Sequence, residues 1–188
     1  GTLNVDRMPV VGFQRTWSAD HLITDSAAGG TALATGSKTA NGYVGVAPDG
    51  SDLESLIFKA QKAGKRTGVA VVCRLNDATP ADFCCHSGDR DDVADITSDY
   101  LDCNVDYIAG GGLRYFRDRS DGRDLIGEFA ARGYATCLDP QSLAEAQTLP
   151  LVAVLADLEL PVAALRGDLF RNMVSKAVEL LSRDNEEG

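Results

Sequence analysis

Thr24-Asp25-Ser26-Ala27-Ala28-Gly29-Gly30-Thr31-Ala32-Leu33-Ala34-Thr35-Gly36, continuing through Lys38-Thr39-Ala40 to Asn41-Gly42, is built almost wholly from small residues. An exposed helix face ordinarily carries Lys, Glu and Gln, so a segment this small-sided is one that other backbone approaches closely. The Ala, Thr and Leu residues after Asp25 and Ser26 permit a helix, which places Ser26 at or near its start. Free backbone N–H groups and the positive end of the helix dipole favour an anion there. The plainer reading is that Asp25 or Ser26 is only an N-cap. Against it stand Gly29 and Gly30, which cost helix stability on the order of 1 kcal/mol each. Something other than helix stability selects them.

A second patterned stretch is Arg74-Leu75-Asn76-Asp77-Ala78-Thr79-Pro80-Ala81, directly after the apolar run Thr67-Gly68-Val69-Ala70-Val71-Val72-Cys73. Asp77 and Thr79 are two apart, so their oxygens can converge on one hard cation such as magnesium, which favours a carboxylate and a hydroxyl with several waters kept. The alternative is an Asx-type turn before Pro80 that caps the next helix. Arg90 lies in Gly88-Asp89-Arg90-Asp91-Asp92. Such charged runs are usually solvated surface, but a guanidinium also grips two phosphate oxygens bidentately.

Asp25 to Ala32, with Thr35-Gly36-Ser37-Lys38-Thr39 and Asn41-Gly42, closely resembles the nucleophile segment of the alkaline phosphatase family, and Asp77-Ala78-Thr79-Pro80 resembles its magnesium motif. The resemblance runs over nearly all 188 residues but corresponds to the middle of the family's sequence. It implies a phosphate monoester hydrolase in which Ser26 attacks phosphorus and becomes phosphoserine, and in which Arg90 clamps the substrate phosphate. Asp25 would orient Arg90, zinc would sit on the Ser26 side, and Asp77 with Thr79 would hold magnesium. It also implies phosphate monoesters and inorganic phosphate as ligands, a homodimer, and a periplasmic or secreted location. The family's upstream Asp-Gly-Met-Gly strand has no match before Ser26, and its later Glu, Asp and His ligands are not matched either. His21 and His86 are the only histidines, too few for the family's three zinc-binding ones. The second reading is therefore a truncated, inactive fragment that at most binds phosphate or magnesium. A sulfatase reading fails because the segment after Ser26 lacks the Pro and Arg of that family's motif. Both histidines, the basic group Lys62, Lys65 and Arg66, and Gly110-Gly111-Gly112 are expected to be structural or solvated.

The chain is 44% hydrophobic and 24% charged, enough for one globular domain over 1–188 with a sizeable core. A formal net charge of −10 disfavours nucleic acid and anionic membrane as partners. No stretch is long and apolar enough to span a bilayer. The five cysteines, Cys73, Cys84, Cys85, Cys103 and Cys137, are odd in number and contain no C-x-x-C pair, which points to buried free thiols.

Helix and strand patterns alternate. Strands are expected at 10–13, 67–73, 105–109, 134–138 and 151–155. The run at 67–73 reads as covered on both faces. Helices are expected from a capping box at Ser51–Glu54 to a stop at Gly64, from near Pro80, and over 91–101, 125–131, 142–147 and 168–182, the last capped by Asp168. The fold expected is α/β, a mostly parallel central sheet with helices on both faces and incomplete relative to the family, with catalytic residues beyond the strands' C-terminal ends. The charged tail 183–188 is expected to fray.

Overall fold

Alternating apolar runs and capped helices give a parallel sheet with helices on both sides. The structure, a computed structural model, describes residues 1–183. A short 3-10 turn at Val5–Arg7 is followed by α1 (Ser26–Thr35), α2 (Leu56–Lys62), β1 (Gly68–Arg74), α3 (Ala78–Ala81) and α4 (Val93–Asp99). Then come β2 (Tyr107–Gly111), α5 (Leu113–Arg117), α6 (Leu125–Ala131), β3 (Ala135–Cys137), α7 (Pro140–Glu145), β4 (Leu151–Val154), α8 (Ala163–Arg166) and α9 (Leu169–Leu181). The four strands lie in the order β1-β2-β4-β3, all parallel.

The period-2 alternation of a strand sorts the core into two halves. Ile108, Val152 and Val154 point to one face, where Leu75, Ile96, Tyr100, Phe116, Leu125 and Phe129 pack. Tyr107, Ala109, Leu151 and Ala153 point to the other, against Leu143, Met173 and Leu180. At about 25 cal/mol per Å2 of apolar surface, these two layers are the main force holding sheet to helices. Gly110 and Gly111 are points of close approach within the sheet. A Cβ on Gly111 would lie 2.0 Å from the Leu158 carbonyl oxygen, and one on Gly110 would lie 2.9 Å from Leu75. The triple glycine is thus a packing feature, as expected.

Several expectations are corrected. Residues 10–13 form no strand; Val10, Val11 and Phe13 are exposed. β1 is an edge strand whose one buried residue is Val69, and its register against β2 shifts between Ala70 and Arg74, so it is covered less than its apolar run suggests. Ser51 caps no helix, because its N–H and hydroxyl turn back to Asp49. Ser55 is the N-cap of α2, and Glu54 instead pairs with Lys62. The helix near Pro80 is a single turn, and Asp168 stands at the N-cap of α9 without a capping bond, paired instead with Arg171 at 3.1 Å. The five cysteines are free thiols, four of them buried. In the expected fraying tail, residues 184–188 lie outside the described residues.

Candidate active site

The site begins with helix chemistry. Asp25 is the N-cap of α1 and Ser26 its first helical residue. Asp25 Oδ1 accepts from Ala28 N at 2.9 Å, which satisfies one of the free N–H groups of the first turn. The cap reading of Asp25 therefore holds, but it uses one oxygen only. Asp25 Oδ2 accepts from Gly42 N at 3.0 Å and from Arg90 Nη1 at 3.2 Å. The Asp25 N–H donates to Asn41 Oδ1 at 3.1 Å. Asn41 and Gly42, read from sequence as a mere turn, thus fasten the loop that precedes the helix.

Asp77 follows β1 by three residues, at the C-terminal end of the sheet. It too is an N-cap: its Oδ1 accepts from Ala78 N at 2.9 Å, as the Asx reading requires. The same oxygen accepts from Arg90 Nη2 at 3.2 Å. Arg90 thereby spans the two caps, and its Nη1 also donates to Ser26 Oγ at 2.7 Å. One planar guanidinium links the end of β1 to the start of α1. The Ser26 side chain beside it is exposed to solvent, and that of Arg90 is partly so. Arg90 is held by its own backbone, whose N–H donates to Gly42 O at 2.8 Å.

Thr79, the other expected magnesium donor, is exposed in the single turn of α3. Asp77 and Thr79 present a carboxylate and a hydroxyl, an oxygen donor set that suits magnesium with retained waters. The same test fails for zinc. Among the described residues no three His, Cys, Asp or Glu side chains gather where they could hold one ion, whereas a catalytic zinc takes about three protein ligands. Both histidines are engaged away from Ser26. The His86 ring lies on Phe58, 5.7 Å between centroids, with Nε2 3.0 Å from Leu53 O. His21 is paired with Asp20 at 2.9 Å, which holds the Asp20 carboxyl down at about 2.

Two residues escaped the sequence reading. Thr31 and Asp82, both fully buried, join α1 to the residue that ends α3 through a 2.9 Å contact. A charged residue one step past a Thr-Pro-Ala turn looks like surface, and only Gly30 signals otherwise. A Cβ at Gly30 would fall 1.9 Å from Asp82 Oδ2.

Comparison with known proteins identifies the family. The family model described as alkaline phosphatase matches residues 1–188. The chain belongs to the alkaline phosphatase family. Alkaline phosphatase 4 of Bacillus subtilis (strain 168) is 35% identical over 173 residues, covering 89% of this chain and 37% of that protein. A cold-active alkaline phosphatase from a psychrophilic Shewanella superposes with a TM-score of 0.91 at 33% identity, over 100% of this chain and 46% of that one. A His-to-Asp mutant of the alkaline phosphatase TAB5, described with Mg bound, gives a TM-score of 0.90 at 32% identity, over 98% and 54%. The chain spans less than half the length of the Bacillus alkaline phosphatase and of the Shewanella structure.

Proposed function

We propose that this chain carries the nucleophile and phosphate-clamp side of a metal-dependent phosphate monoester hydrolase working through phosphoserine at Ser26. The observation that supports it most is Arg90, whose two terminal nitrogens reach Asp25 and Ser26 at the start of α1 and Asp77 at the start of α3. A phosphate entering there meets the free N–H groups of α1 and a fork suited to two of its oxygens. Those donors stabilise charge that develops on the equatorial oxygens. Ser26 Oγ forms the bond to phosphorus as the bond from phosphorus to the ester oxygen breaks; the Ser26 hydroxyl gives up its proton and the departing oxygen takes one up, so the alcohol leaves. Water then takes the phosphoryl group from Ser26 and releases inorganic phosphate. Asp25 aims the guanidinium. Asp77 and Thr79 would hold magnesium, which supplies positive charge against the phosphate when bound. Zinc on the Ser26 side would need donors that the described residues do not bring there. A homodimer and a periplasmic or secreted location accompany the family reading.

The test is acid-quenched reaction with an aryl phosphate and added magnesium and zinc, followed by mass spectrometry of the peptide holding Ser26. Phosphoserine at Ser26, absent from Ser26→Ala, is the expected result. Phosphate retained in the Ser26→Ala chain would overturn the role. Phosphate binding that depends on Arg90, without any phosphoserine, would favour the second reading, a binding fragment without turnover.

A further inference from the structure

Beneath the helix that carries Ser26 lies a carboxyl group whose proton can be located by counting hydrogens. Thr31 Oγ1 has three polar neighbours: Gly45 N at 2.9 Å, Tyr43 O at 3.2 Å and Asp82 Oδ1 at 2.9 Å. Gly45 N can only donate and Tyr43 O can only accept. A hydroxyl has one hydrogen and two lone pairs. If Asp82 is ionised, Tyr43 O and Asp82 Oδ1 compete for that single hydrogen. Asp82 Oδ2 is then a charged oxygen with no hydrogen-bond partner, buried against Gly30. If Asp82 carries the proton on Oδ1, it donates to Thr31, Thr31 donates to Tyr43 O, and Gly45 N donates to Thr31. Every hydroxyl position is then used once, and Oδ2 is a neutral carbonyl oxygen, far less costly to leave bare than an ionised one.

We propose that Asp82 is a neutral carboxylic acid in the folded protein, and that by donating to Thr31 it is the positioning residue that fastens α1 to α3. The proposal bears on the helix of the phosphatase reading, but the measurements below read protonation and packing and do not require turnover. The environment agrees with the count. Burial pushes the Asp82 carboxyl up to about 8, against the Thr31 contact; Asp25 adds to the rise, while Arg90 and the Gly45 N–H oppose it. Asp25 and Arg90 face it from the site side and the Cys85 thiol from its own chain direction. The sign of the pH effect follows. An unfolded Asp titrates near ~3.9, below the folded value, so the stabilisation is complete below about pH 4 and is lost progressively as pH rises toward about 8.

The variant that separates the possibilities is Asp82→Asn, whose amide N–H can donate to Thr31 without titrating. Urea unfolding of the full chain from pH 5 to pH 7 is the first measurement. The wild-type unfolding constant should rise about tenfold per pH unit relative to Asp82→Asn. Parallel pH profiles would overturn the neutral acid. A carboxylic-acid carbonyl band in infrared spectra at pH 6.5, removed by Asp82→Asn, is expected; identical spectra would count against it. Amide exchange along α1, corrected for intrinsic rate, should accelerate in wild type but not in Asp82→Asn as pH passes 8. Equal protection would overturn the positioning role.

Discussion

Gly30 shows how one missing methyl group organises this site. Its Cα faces the Asp82 carboxyl so closely that a Cβ would sit 1.9 Å from Oδ2 and 2.9 Å from Cγ. Asp82 cannot swing clear, because it is buried and tied to Thr31. Glycine in mid-helix otherwise costs about 1 kcal/mol relative to alanine, so the close approach outweighs helix propensity. Gly30→Ala should therefore destabilise the chain by about 1–3 kcal/mol, the usual range for overpacking. In an Asp82→Ala background the same change should be neutral or stabilising, because the obstacle is gone and only the helix gain remains. A double-mutant cycle in urea checks this; additive effects would mean that Asp82 is not what Gly30 makes room for. The sequence carried the glycine signal without its cause. Ser26, Asp77 and Arg90 were legible because short motifs bring their chemistry with them. Asp82 was not, since its neighbour Thr31 stands 51 positions away and no local pattern announces that contact.

At the scale of elements, one helix start performs two tasks through the two oxygens of a single carboxylate. Asp25 Oδ1 caps α1 through Ala28 N, and Oδ2 meets Gly42 N and Arg90. The substitutions Asp25→Asn and Asp25→Ala divide these tasks. Asn is as good an N-cap as Asp, while Ala loses about 1 kcal/mol. Chemical denaturation should place Asp25→Ala lower than Asp25→Asn by about that amount, and both should loosen Arg90 from its orienting charge. Equal stability of the two would show that the cap bond contributes nothing. Much of the element pattern was legible for the same local reasons: α6 ends just before the glycine stop at Gly133, and β4 is an apolar run. The misreadings were tertiary. Residues 10–13 have strand composition but no ladder partner among the described residues, and the Ser51–Glu54 capping pattern lost to Ser55, whose hydroxyl also donates to Phe83 O at 2.7 Å. Propensity proposes an element, but a partner surface decides it.

For the molecule as a whole, the same N-terminal segment sets charge against apolar surface. Leu3, Val5, Met8, Val10, Val11 and Phe13 are all at least 60% exposed, Phe13 fully so. Regular structure is absent from residues 8–25. Anchorage comes further on, where Lys38 donates to Arg15 O and stands 4.7 Å over the Trp17 ring, and Ala19 N donates to Thr39 O. Six large apolar side chains exposed within residues 3–13 concentrate more bare apolar surface in one segment than a soluble protein usually carries. A formal net charge of −10 opposes self-association, but at physiological ionic strength such repulsion acts only within about 8 Å. Apolar burial should therefore win as salt rises. Sedimentation velocity on the chain should show average mass increasing with concentration, and increasing further from low to moderate salt. The double substitution Val11→Asp with Phe13→Asp should shift the distribution back toward monomer, because it places two charges on the apolar run without touching the sheet or the Ser26 helix. Association that is unchanged by the double variant would move the sticky surface elsewhere, most directly to the half-covered edge strand β1. Association that weakens with salt would mean that charge pairing, not apolar surface, holds the copies together.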